Sequence, residues 1–328
     1  MNYKISVIIP VYNAENHINN MARCLLGQTL EEIQFIFVND ASSDNTLEKL
    51  YEIEKRDPNK ILVINLNENQ GPGGARNVAL EYVLGEYVGF VDSDDLIKKD
   101  MFECMYNKAI SGNYDIVECG YYNERKNKEL MLWDNSMEGM VTFDKRVKMF
   151  LSCGFICTKI FKRGIIIDNN IKFISKIPLE DVDFLCRIYS KVKTIGIVNK
   201  SFYHYIDNKN SFSHTRNNMG FLEVNNTFCE NYLNHMKSEK IYLEMKEVIE
   251  YIVIDIWYDL FRTLVSNIEL INENTLSVID NNLKKYVTNY YKNIFFVEKA
   301  KRDYVAKAFL TNSKNSKEAI EILIKSKL

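Results

Sequence analysis

The chain has 328 residues, 46% hydrophobic and 26% charged, enough for one large core or for a catalytic domain with an accessory one. A formal charge of -2 and a pI near 6.2 give no overall basic field, which argues against nucleic acid as a partner. Seven cysteines without a C-x-x-C pair read as reduced core residues rather than a disulfide framework.

The opening, MNYKISVIIPVYN, lacks the basic lead and long apolar stretch of a signal peptide. No segment approaches the roughly 18 consecutive apolar residues of a membrane span. The expected location is the cytoplasm, with peripheral contact at the inner face of the membrane as an option. Ile5 to Val11 reads as a buried strand, and Ile18, Met21, Ala22, Leu25 and Leu26 follow at helical spacing. Strands at Ile33 to Val38, Ile61 to Ile64 and Tyr87 to Val91 continue the pattern, with helices between them around Leu47 to Ile53 and Ala75 to Val83. Strands apolar on both faces and separated by helices predict a mostly parallel α/β sheet covered on each side. Ligands then belong at the carboxyl ends of the strands.

Beyond Asp95 the alternation weakens. A helix near 100 to 110, a strand at Asp115 to Gly120 and a polar stretch, NERKNKE, precede a helix after Glu180 and a strand at Thr194 to Val198. From about 219 the pattern is helical only, near 219 to 236, 240 to 267, 274 to 290 and 298 to 327. A domain boundary is expected near 216. The segment from 292 to 328 holds nine Lys/Arg against four Asp/Glu, and Ala319, Ile320, Leu323 and Ile324 form an apolar stripe. Such an end suits an anionic lipid surface, the body of the protein, or a second subunit.

Several candidate site residues fall at the predicted strand ends. Asp92, Ser93 and Asp94 form a D-x-D, where crowded carboxylates repel one another unless a cation compensates them. Mn²⁺ or Mg²⁺ completed by substrate phosphates suits that donor set, whereas a plain turn or helix cap is the alternative. Asp40 is placed to accept from a base N–H and Tyr12 to stack on the same base, while Asp44 is expected to cap the next helix. In Asn69 to Asn77 the glycines permit close approach of a ligand, and Arg76 either pairs with a carboxylate or faces a nucleotide. The loop is neither a P-loop nor G-x-G-x-x-G. Glu180-Asp181 opens a helix, as acidic residues often do. His204 is either a hydrogen-bonded core histidine or a metal or diphosphate contact.

Taken in order, ISVIIPVYNAENHI, FIFVNDASSDNT, NQGPGGARNVAL and GEYVGFVDSDD resemble the nucleotide-binding half of family 2 glycosyltransferases, whose fold is the Rossmann-like GT-A. CTKIFKRGII, LEDVDF and FYHYIDNKNSFS are similar to the second half of that catalytic domain, so the resemblance covers roughly residues 4 to 215. It implies a GT-A domain at 1–216, divided into a nucleotide-binding half (1–95) and an acceptor-facing half (96–216); the helical pattern makes 217–328 a separate C-terminal domain. It further implies that Pro10, Tyr12 and Asp40 hold the nucleoside, most often uridine, with Arg76 beside it. Asp92, Ser93 and Asp94 then serve the diphosphate and its metal, and Asp181 is the general base of an inverting transfer. A UDP-sugar donor and a glycan or lipid-linked glycan acceptor follow. Ile206 stands where many relatives carry Arg, so the diphosphate contact there falls to His204, Lys209 or Arg216. Asn39 stands where Asp is common. A nucleotidyltransferase and a non-catalytic sugar-binding module are the rival readings.

Overall fold

Seven consecutive buried residues, Ile5–Val11, form β1 at the centre of the sheet, which is why this stretch shows no polar alternation. The computed structural model describes residues 2–207, 220–266 and 272–325. The chain divides into two compact units, Met1–His214 and Thr215–Leu328.

In the first unit β1 is followed by α1 (Ile18–Leu26), β2 (Ile33–Asn39), α2 (Thr46–Glu54), β3 (Ile61–Asn65), α3 (Gly71–Leu80) and β4 (Tyr87–Phe90). The rest comprises β5 (Leu96–Ile97), α4 (Met101–Ser111), β6 (Ile116–Asn123), β7 (Lys128–Leu130), β8 (Gly139–Met140), α5 (Phe143–Leu151), β9 (Lys159–Lys162), α6 (Arg163–Ile167), α7 (Glu180–Lys191) and β10 (Thr194–Tyr205). The sheet runs β3-β2-β1-β4-β9-β6-β10-β5, with β7 on β6 and β8 on β10. β1 to β4, β6 and β10 share one direction, and β9 runs against both β4 and β6. This is the predicted α/β class, a mostly parallel sheet flanked by helices.

The chain reverses across the sheet between β3 and β4, so a crevice opens beyond the carboxyl ends of β1 and β4. Pro10 sits in β1 opposite Val38, past the last residue that pairs with β4, where its missing N–H costs no bond on that side. Residues such as Ile8 and Val88, fully buried here, each contribute about 1.5–3 kcal/mol by leaving water.

The structure departs from expectation in the second half of this unit. β10 does not stop at Val198 but continues through a bulge at Asn199 and Lys200 to Tyr205, carrying Tyr203 to the carboxyl edge. The NERKNKE stretch contains the turn into β7. CTKIFKRG contributes the strand β9 between β4 and β6.

The second unit is helical, with α8 (Phe221–Ser238), α9 (Tyr242–Ser266), α10 (Glu273–Tyr286), α11 (Ile294–Ala300), α12 (Tyr304–Asn312) and α13 (Ser316–Lys325). The single stretch expected from 298 to 327 is broken. Asp303 accepts from the Val305 and Ala306 N–H groups and starts a new helix, while its other oxygen takes the Tyr258 hydroxyl at 2.6 Å. Tyr258, Phe261, Phe296 and Phe309 pack edge to face or tilted around that break. Ala319 and Leu323 of the basic end are buried, so those two positions of the stripe are spent within the protein. No helix among the described residues is long and apolar enough to cross a membrane.

Candidate active site

The carboxyl edge of the sheet gathers most of the predicted residues. The Asp40 N–H donates to the Val11 carbonyl at 2.8 Å, which sets the end of β2 beside the end of β1. Asp40 is buried and its carboxylate accepts from the Gln70 N–H at 2.7 Å, at the entry to α3. Burial pushes its pKa up, against the backbone amides of Gln70 and Gly71 that favour the charged form. Tyr12 is 52% exposed at the same edge, an aromatic face open to solvent. Asn13 and Ala41 both have positive φ, and Asn13 is laced to Ser42 and Ser43 by side-chain bonds. Asp44 receives the Thr46 and Glu15 N–H groups, although Asn45 is the residue at the cap position of α2.

Arg76 occupies the centre. Its Nη2 donates to Asp92 Oδ1 and its Nη1 to Glu180 Oε1, both at 2.7 Å, and its guanidinium lies over the Phe173 ring. Burial alone would lower the pKa of this arginine, but the charges of Asp92 and Glu180 outweigh it and raise it above its ordinary value. Of the two readings open for Arg76, pairing with carboxylates is the one observed. The glycines around it also serve a purpose the sequence did not disclose. A Cβ at Gly73 would stand 2.5 Å from the Ile174 carbonyl oxygen, so glycine there lets residues 173 to 176 close over α3. That approach brings α7 within reach of Arg76.

Glu180 and Asp181 form the first turn of α7 behind Leu179, whose φ of 72° is costly for a side chain of its size, about 1–3 kcal/mol. Glu180 is buried against Arg76, whereas Asp181 is half-buried and accepts from the Val182 N–H. Burial raises the Asp181 pKa to about 7; the Glu180 charge adds to the rise, and Arg76 opposes it.

Asp92, Ser93 and Asp94 are half-buried just beyond β4. The next residue, Asp95, belongs to the same acidic run, where nothing in the sequence marks it for a separate role. It is buried, accepting from the Tyr203 hydroxyl at 2.6 Å and from the Ile206 N–H at 2.9 Å. The Asp92 N–H donates back to the Tyr203 oxygen at 3.2 Å. This chain of bonds ties the D-x-D loop to the end of β10. Tyr203 sits among aromatics, and the only hint of its part was that aromatic run.

His204 is not brought into this cluster. Successive strand residues alternate faces, so Tyr203 reaching the acidic loop turns His204 away, where it meets the Tyr122 ring edge to face at 5.0 Å. Of the two alternatives for His204, the contact observed is the aromatic one with Tyr122. Lys209 and Arg216, the remaining candidates for the diphosphate contact, lie outside the described residues, as does His214. Among the described residues no three His, Cys, Asp or Glu side chains are grouped to hold a metal ion. Asp92 and Asp94 remain a pair of hard oxygen donors, sufficient for Mg²⁺ or Mn²⁺ when phosphate oxygens supply further ligands.

Residues 6–168 match the family model described as Glycosyl transferase family 2. The chain is 30% identical over 228 residues to cholesterol galactosyltransferase of Borreliella burgdorferi, covering 64% of this chain and 62% of that protein. It is 31% identical over 208 residues to poly(ribitol-phosphate) beta-glucosyltransferase of Bacillus spizizenii, covering 62% of this chain and 32% of that protein. The chain thus spans less than two thirds of the length of these relatives. In fold it is similar to S. aureus TarS 1-349 solved with UDP-GlcNAc, at a TM-score of 0.71 and 22% identity over 94% of this chain and 89% of that one. The mannosyltransferase PcManGT of Pyrobaculum calidifontis, solved with GDP-Man and Mn²⁺, superposes at a TM-score of 0.57 with 14% identity, covering 99% and 86%.

Proposed function

Because the chain belongs to glycosyltransferase family 2, with the GT-A fold, we propose that it moves a sugar from a UDP-sugar to an acceptor hydroxyl with inversion at the anomeric carbon. The observation that carries this reading is the Arg76 bridge. One buried cation joins the D-x-D loop, in the donor-binding half, to the first turn of α7, beside the half-buried Asp181.

Tyr12 stacks on the base and Asp40 accepts from it, with Pro10 shaping the wall behind them. Ser93 and the D-x-D carboxylates face the diphosphate. Asp92 and Asp94 would hold Mn²⁺ or Mg²⁺, which when bound neutralises charge on the departing diphosphate. Asp181 takes the proton of the attacking hydroxyl, and its raised pKa makes it a stronger base than an ordinary carboxylate. Arg76 does two things without touching the reacting atoms. It fixes Asp92, and by neutralising Glu180 it limits the repulsion that would drive the Asp181 pKa higher still.

The named relatives act on a sterol and on a poly(ribitol-phosphate), and the reading takes a glycan or lipid-linked glycan as acceptor in cell-surface glycan synthesis. Catalysis from the cytoplasm at the inner membrane face fits such an acceptor, and the helical unit is then a site for membrane or subunit contact. A thermal-shift screen of nucleotide sugars with and without Mn²⁺ tests the donor assignment, since binding stabilises the folded state by mass action. Stabilisation by UDP-sugars that is enhanced by Mn²⁺ is the expected result. Response to no nucleotide sugar would defeat the reading.

A further inference from the structure

Lys159 and Glu118 are both fully buried, cross-strand partners on β9 and β6, with Nζ and Oε1 3.4 Å apart. Such a pair is rarely worth its desolvation for stability alone. The ammonium is aimed elsewhere as well: it donates to the Phe155 carbonyl at 2.8 Å and to Thr158 Oγ1 at 3.2 Å, and lies over the Trp133 ring. The Thr158 hydroxyl also donates to the Phe155 carbonyl, at 3.1 Å. Two buried donors therefore hold the backbone of one residue.

That residue is exposed. Phe155 keeps 37% of its surface open, stacks on Tyr205 with ring centroids 5.7 Å apart and planes inclined by 24°, and meets the Tyr121 ring in a T-shaped contact. Each ring is linked through its chain neighbours to one part of the acidic site. Tyr205 precedes Ile206, whose N–H is bound by Asp95. Two residues before Phe155, the Cys153 thiol meets the Val182 carbonyl in the first turn of α7 at 3.8 Å, next to Asp181. Two residues after it, the buried Cys157 thiol lies in the field of Asp92, Arg76 and Asp95.

We propose that Phe155 and Tyr205 form a pre-positioned aromatic shelf that binds the pyranose ring of the acceptor and presents its hydroxyl to Asp181. A pyranose has one face of C–H groups that packs on an aromatic ring while its hydroxyls point outward to polar partners. Paired aromatics beside convergent carboxylates provide that combination. Both rings come from the acceptor-facing half, after β4, and the loop bearing one of them is braced against α7. A shelf held by a buried ammonium loses little freedom on binding, which favours a weakly held ring. The inference rests on the glycosyltransferase reading.

The test uses the full chain with two probes, UDP with Mn²⁺ and a panel of methyl pyranosides. UDP binding is read from the melting temperature. Sugar contact is read by saturation-transfer NMR on irradiation of the aromatic protons. Wild type is expected to transfer saturation to ring protons of at least one pyranoside. Phe155→Ala and Tyr205→Ala should each weaken that binding about five-fold, while Phe155→Trp retains it. Retention of the UDP-dependent rise in melting temperature shows that the variants are folded. Absence of sugar contact in wild type, or undiminished contact in both alanine variants, overturns the shelf and leaves the donor reading standing. A missing response of wild type to UDP and to every nucleotide sugar overturns the donor reading first, and the shelf with it.

Discussion

Arg76 and Glu180 are 104 positions apart in the chain, yet Nη1 and Oε1 meet at 2.7 Å in the interior. Side-chain exposures of 6% and 10% make this a buried pair, and removing one partner of such a pair leaves an uncompensated charge. Arg76→Met should lower stability by about 3–5 kcal/mol, measured by urea unfolding. Arg76→Met combined with Glu180→Met should recover a large part of that loss. A single-variant change below about 1 kcal/mol would show that the bridge is not what holds α7 to α3.

Gly73→Ala probes the same closure from the backbone. The new methyl would stand 2.5 Å from the Ile174 carbonyl oxygen, so residues 173 to 176 must move away from α3. The expected cost is about 1–3 kcal/mol by thermal or urea unfolding, accompanied by reduced transfer. Unchanged stability together with unchanged activity would contradict the role given to this contact.

Tyr203→Phe removes the hydroxyl that joins Asp95 to the Asp92 backbone. Losing a buried hydrogen bond to a carboxylate costs about 1.5–3 kcal/mol. The looser D-x-D loop should weaken nucleotide-sugar binding, read by titration of the thermal shift. A variant with wild-type affinity and stability would remove Tyr203 from the account.

Asp181→Asn should lower transfer by roughly 10² to 10⁴ while nucleotide-sugar binding stays near wild type, measured by product formation and thermal shift. The pH profile has a definite sign. Only the carboxylate can accept the proton, so transfer should rise as pH increases through about 7 and level off above it. The same raised pKa makes this group's contribution to folding most favourable in acid, and the contribution is lost as pH climbs through that value. A profile already flat from pH 5 to pH 8 would contradict the assignment.

The parallel strands β1 to β4 were legible because they are buried on both faces and bounded by helices with clear periodicity. β9 was not, because a buried Lys159 in a four-residue segment gives it the pattern of a loop. β5, β7 and β8 are two or three residues long, too short for any period to register. The polar Asn199-Lys200 at the bulge hid the second half of β10, and with it the placement of Tyr203 and His204. Asp40 and the D-x-D were readable from their strand-end positions. The pairing of Arg76 with Glu180 and the latch of Tyr203 on Asp95 join residues about a hundred positions apart, and no local pattern encodes such a pairing.

On the proposed function, this edge of the sheet activates the anomeric carbon of a nucleotide-diphosphate sugar for attack from the opposite face. The most direct measurement follows a UDP-sugar identified by the thermal screen, incubated with the full chain and Mn²⁺, by real-time proton NMR. Release of UDP with the sugar first appearing in the inverted anomeric form, and loss of that release in Asp181→Asn, is the predicted result. Release with retained configuration, or equal release by Asp181→Asn, would contradict the account.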